Sequence, residues 1–123
     1  MSGKDLRVII KSEELITHTL IITSNSNRYP KKYRHSLCDR MQLISFDIYE
    51  NLLEANRTLN TTHRQERCEK ITKAITSCDK LLVYIKISLN INLLNSSSAA
   101  YWTSLVTDVK HLALAWRKSE NNK

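Results

Sequence analysis

Glycine and proline are almost missing from this chain: its 123 residues hold one of each, Gly3 and Pro30. Glycine supplies the positive-φ backbone of tight turns, and proline interrupts helices. Their scarcity excludes hairpin-rich folds, Gly-rich phosphate cradles and nucleophile elbows, and it predicts a few long helices. Long apolar runs are missing too. Met1 to Arg7 is polar and the first apolar run is only Val8 to Ile10, so neither a secretory leader nor a membrane span of ~20 apolar residues is expected. A cytoplasmic chain is the expectation. Cysteines are few and odd in number, Cys38, Cys68 and Cys78, which fits buried reduced thiols better than a disulfide framework. The sequons at Asn56, Asn60 and Asn95 mean little without secretion.

Acid is also short. Nineteen Lys and Arg oppose twelve Asp and Glu, a net charge of +7, which points to a polyanionic partner such as nucleic acid. Residues 1–62 hold nine bases and seven acids, and residues 63–123 hold ten and five. The C-terminal half is therefore expected to carry most of the field.

The apolar residues that are present keep helical spacing. Leu6, Ile9, Glu13, Ile16 and Leu20 define one face of a helix over about residues 5–23, ended by Ser24–Asn27. Pro30 suits the first turn of a second helix over about residues 30–59, with Tyr33, Leu37, Met41, Ile44, Ile48, Leu52, Ala55 and Leu59 as its stripe. Asn60-Thr61-Thr62 ends it, and Thr62 with Gln65 predicts a capping box. A third helix, about residues 63–94, carries Cys68, Ile71, Ile75, Cys78, Leu82, Ile85 and Leu89. Ser96-Ser97-Ser98 predicts a turn and N-cap, and a fourth helix, about residues 99–118, carries Trp102, Leu105, Val109, Leu112 and Trp116. Short connections force neighbours antiparallel, so the expected fold is a single all-α, up-down-up-down four-helix bundle.

Two helices are apolar on a second side. Phe46, Tyr49 and Leu53, with Tyr84, Ile87, Ile91 and Leu94, are expected to form an interface between copies of the chain. The expected nucleic-acid and partner contacts are Lys31, Lys32, Arg34 and Arg40 around Tyr29 and Tyr33, then Arg64, Arg67, Lys73, Lys80 and Lys86, and finally Lys110, His111, Arg117 and Lys118. Nucleic acid is preferred to a membrane because no helix joins a basic face to a clean exposed apolar one.

No catalysis, cofactor or metal is expected. His18, His35, His63 and His111 lack metal-ligand spacing with a nearby carboxylate, and His35 with Cys38 is an isolated pair. Glu50 and Glu54 are an i, i+4 pair, but no helix offers the Glu-x-x-His that would complete a di-metal site.

Four segments, Tyr29-Pro30-Lys31-Lys32-Tyr33-Arg34, Leu52-Leu53-Glu54-Ala55-Asn56, Leu82 to Ser88 and Asp108 to Trp116, together resemble the accessory variability determinant (Avd) proteins of diversity-generating retroelements. The resemblance implies a basic bundle that assembles as a pentamer and binds a reverse transcriptase and its template RNA, supporting mutagenic cDNA synthesis without catalysing it. It assigns the Pro-Lys helix start to Pro30 and Lys31, the basic residue of the third helix to Lys86 and the closing tryptophan to Trp116. His111 stands where that family usually has Arg or Lys. Leu114-Ala115 replaces its glycine pair, and Lys110 a nearby glycine. The bundle proteins encoded in ribosomal-RNA intervening sequences are the nearest rival. They typically close the second helix with a glycine-ended tract, where this chain has Glu54-Ala55-Asn56-Arg57-Thr58. A bundle that binds only protein is the remaining alternative.

Overall fold

The computed structural model describes residues 3–58 and 62–122, with side chains from Leu6 onward. Its four helices are α1 (Gly3–Thr23), α2 (Asp39–Arg57), α3 (Arg64–Asn90) and α4 (Ser96–Asn121). Each packs on its sequence neighbours and α4 closes back onto α1, so α1 and α3 sit on one diagonal. The fold is an all-α antiparallel four-helix bundle.

The core runs along the bundle through Leu15, Met41, Ile48, Leu52, Ile71, Leu81, Ile85, Trp102, Val106 and Val109. Leu59 aside, the expected stripes of the last three helices lie on or beside it, except Cys68, which is half-buried outside the core cluster. Of the α1 stripe only Ile9 is buried, with Ile16 and Leu20 half-buried and Leu6 and Glu13 exposed; the buried line there is Val8, Ser12, Leu15, Thr19 and Ile22. The core-facing hydroxyls concealed this line from a hydropathy reading, yet each has a bonded oxygen. Ser12 Oγ donates to the Ile9 carbonyl at 2.7 Å, and Trp102 Nε1 donates to Thr19 Oγ1 at 3.1 Å. Burial without loss of hydrogen bonding makes such residues tolerable.

The helix ends also differ from expectation. Pro30 leads into a 3-10 turn, Lys31–Tyr33, and a π turn, Arg34–Cys38, before regular helix begins at Asp39. The Thr62–Gln65 capping box does not form: His63 is the N-cap of α3, and no side chain caps it. Leu59, Asn60 and Thr61 lie outside the described residues. The N-cap of α4 is Asn95, not a serine of the run that follows, with its side chain accepting from the Ser98 N–H at 2.8 Å.

α3 stops at Asn90, four residues short of expectation, because Asn92 turns left-handed at φ 64°. Leu93 N–H then bonds the Ser88 carbonyl at 2.9 Å and Asn92 N–H the Leu89 carbonyl at 3.1 Å, the pairing of a Schellman C-cap. In a chain without a spare glycine, asparagine fills the left-handed position. The turn swings Leu94 into the core at 5% exposure, which corrects its expected place on the outer face.

Candidate nucleic-acid interface

Folding redistributes the charge. The α1–α2 and α3–α4 turns lie at one end of the bundle, where Arg28 Nη1 donates to Ser98 Oγ at 2.7 Å. With the levels set by the Thr23–Gln42, Thr19–Trp102 and Lys110–Asp79 contacts, that end comprises about residues 17–48 and 85–104. It contains six bases, Arg28, Lys31, Lys32, Arg34, Arg40 and Lys86, and two acids, Asp39 and Asp47, while Lys80 lies lower, level with Glu13. The rest of the chain holds thirteen bases and ten acids, so more than half of the net charge belongs to one pole. Five of the six bases come from the N-terminal half, so the pole does not follow the expected C-terminal emphasis. Antiparallel packing collects the ends of all four helices, which a division of the chain at its midpoint cannot represent.

None of the six bases of the pole, nor Lys80 below it, is held in an ion pair among the described residues. Lys31, Lys32, Arg34, Arg40, Lys80 and Lys86 are exposed, and Lys32 Nζ lies 5.2 Å from the centre of the Tyr33 ring. Asp39 instead sits 3.0 Å from His35 Nδ1. A cavity of about 310 Å³ opens here, with Lys31, Arg34, Gln42, Ser24, Ser26 and the acid Asp39 in its wall. Two cations and neutral polar side chains thus line one concavity with a single acid, a balance that suits phosphate oxygens.

The other expected cations do not join this pole. Lys110 is bound to Asp79 at 2.6 Å and Arg117 to the Thr72 hydroxyl at 3.2 Å. Arg117 shares a groove at the opposite end with Lys73, Cys68 and Glu69. Arg64, His111 and Lys118 are exposed at that end or beside it. Lys86 is turned by about 120° from Lys80 around α3, at about 100° per residue, so Lys73, Lys80 and Lys86 are not one face. Arg28, which the sequence groups with Lys31, Lys32, Arg34 and Arg40 at the entry to the second helix, belongs to the pole with them.

Arg67 is a correction. Expected as a surface contact, it is buried at 8% side-chain exposure, with Nε 3.2 Å from Glu120 Oε1, itself 1% exposed. Arg67 Nη1 donates to the Thr58 carbonyl at 2.9 Å, its guanidinium stacks 4.9 Å above the Trp116 ring, and Trp116 Nε1 donates to Glu120 at 3.3 Å. This cluster ties the end of α2 to the start of α3 and the end of α4. The carbonyl it satisfies is one of those left open by a terminating helix.

The apolar residues outside the core divide between two sides. Phe46, Tyr49 and Leu53 continue, at spacings of 4, 3 and 4, a stripe from Gln42, whose Nε2 donates to Thr23 of α1 at 2.8 Å. They therefore flank the α1–α2 seam, with Tyr49 and Leu53 packed against the core and Phe46 at 38% exposure. Tyr84, Ile87 and Ile91 lie on a different seam, the flank of α3 nearer α2. Sequence reasoning missed a further exposed set, Ile10, Ile21 and Tyr101, which lines a groove between α1 and α4. Their exposure follows from the rotated core line of α1.

The remaining titratable groups are structural. Burial pushes the Cys78 thiol up to about 12, with Asp79 adding to it, and raises Cys38 by the same cause. Tyr29 is pushed to about 12, chiefly by burial. Among the described residues no cluster of His, Cys, Asp and Glu could hold a metal ion, and no helix is long and apolar enough to cross a membrane.

Fold and charge together define a four-helix bundle with one strongly basic pole. No family model matches the chain, and comparison with curated proteins and with solved structures finds no match either.

Proposed function

We propose that this chain is a non-catalytic accessory scaffold of the Avd kind, working in the cytoplasm. Its basic pole holds template RNA, and its exposed apolar flanks dock a reverse transcriptase and further copies of the chain. The observation that supports this reading best is the pole itself, six bases against two acids, none of the six in an ion pair among the described residues. Charge gathered at one end without internal counterions is unfavourable in isolation, and a phosphate backbone neutralises it while releasing counterions. The contacts are to backbone, so affinity is broad in sequence and steep in salt.

Two triple variants of equal charge change test this. Lys32→Glu, Arg34→Glu and Lys86→Glu alter the pole; Lys73→Glu, Arg117→Glu and Lys118→Glu alter the opposite end. Fluorescence anisotropy with a labelled single-stranded RNA at several salt concentrations should show the first triple lowering the salt slope by about 2, with the second leaving it unchanged. Equal weakening by both triples would reduce the pole to mere net charge, and no weakening by either would end the RNA reading. Co-purification with a reverse transcriptase encoded beside this gene tests the second partner.

A further inference from the structure

We infer that copies of this chain join head to tail, the α1/α4 groove of one copy receiving the outer flank of α3 from the next. This names the surfaces for the self-association within the function proposed above, and for its biological use it rests on that reading.

The groove, about 470 Å³, is lined by Ile10, Glu13, Glu14, Ile21, Tyr101 and Leu105. Ile21 is 66% and Tyr101 56% exposed, a large apolar surface to leave in water. Among the described residues Glu13 has no ion pair, and Glu14 meets only Lys11 of its own helix at 3.5 Å. This acidic, apolar strip is out of character for a chain of charge +7.

The opposite side of the bundle bears its complement. Lys80, Val83 and Ile87 of α3 and its C-cap Ile91 share one face at spacings of 3, 4 and 4, with Val83 54% and Ile91 42% exposed. Among the described residues Lys80 has no ion pair. Because α1 packs on α4 and α2 on α3, the groove and this flank look in opposite directions.

Their heights along the bundle also agree. Trp102 bonds Thr19, Lys110 bonds Asp79 and Arg117 bonds Thr72. With α4 as the common ruler, a position on α1 is level with one about 68 residues later on α3, at about 1.5 Å per residue. Glu13 thus lies one residue from the level of Lys80, and Ile21 falls between Ile87 and Ile91. A neighbour set side by side in the same orientation brings acid to base and apolar to apolar with no axial shift. Groove on groove or flank on flank would set acid against acid or Lys80 against Lys80 when the helices run parallel, and the charged end against the apolar end when they run antiparallel. The contact is therefore heterologous, and it points every basic pole the same way.

The test removes one surface at a time without changing charge. Ile21→Asn with Tyr101→Asn disables the groove, and Val83→Asn with Ile87→Asn disables the flank. Far-UV circular dichroism checks that each variant keeps its helices. By analytical ultracentrifugation the wild type should form species above the 14.3 kDa monomer, and each variant alone should be monomeric. Their equimolar mixture should form a dimer and nothing larger, since one working groove meets one working flank. Assembly retained by either variant, a mixture that stays monomeric, or a monomeric wild type would overturn the inference. The RNA salt slope, measured on the same samples, reports on the pole separately, so loss of assembly and loss of RNA binding are told apart.

Discussion

Replacing Arg67 by alanine should cost the fold far more than any other basic substitution, because it strands Glu120. That carboxylate is 1% exposed and 3.2 Å from Arg67 Nε, and removing one partner of a buried pair leaves a charge with neither water nor counterion. The usual cost is about 3–5 kcal/mol. Two further contacts disappear with it, the hydrogen bond to the Thr58 carbonyl and the stacking on Trp116. Against a total stability of about 5–15 kcal/mol, this is a large fraction, and for a chain of this size it corresponds to about 10–20 °C in Tm. Urea and thermal unfolding followed by circular dichroism measure it. Arg67→Met combined with Glu120→Leu removes both charges and keeps the volume, so it should recover most of the loss. A cost below about 1 kcal/mol for Arg67→Ala, or a double variant as poor as the sum of the singles, would refute the buried-pair reasoning. The recovered double variant should also bind RNA like wild type, which separates a structural Arg67 from a nucleic-acid contact.

Asn92→Gly should stabilise the chain by about 0.5–1 kcal/mol and Asn92→Val should destabilise it, because the residue sits at φ 64° where only glycine is unstrained; chemical denaturation reads both. In the folded protein, Cys38 and Cys78, whose thiols burial holds in the protonated form, should react slowly with Ellman's reagent at pH 8, leaving half-buried Cys68 as the fast thiol; Cys68→Ser should abolish the fast phase. Burial lowers the pKa of His18 below 6.5 in the folded state, so the unfolded chain takes up the proton first. Stability should therefore hold above about pH 6.5 and fall as the pH drops through the depressed native value. His18→Gln should flatten that part of the pH–stability curve, and an unchanged curve would remove His18 from the account.

The number of helices, their antiparallel order and most of the core on α2, α3 and α4 follow from the sequence alone, since a 3/4 apolar period in a chain with little glycine or proline permits little else. The α1 face was hidden because Ser12 and Thr19 are core residues whose hydroxyls find partners nearby, which hydropathy does not register. The end of α3 was hidden in the backbone of Asn92, and Arg67 looked like surface because its partner is 53 positions away at Glu120. What the sequence determined by itself is the net basicity and the bundle. What only the tertiary structure decided is where that charge resides, because antiparallel packing brings residues 17–48 beside residues 85–104 and leaves ten of the twelve acids below them. Position along a helix sets height in the bundle, and height, invisible in a linear reading, separates the basic pole from the rest.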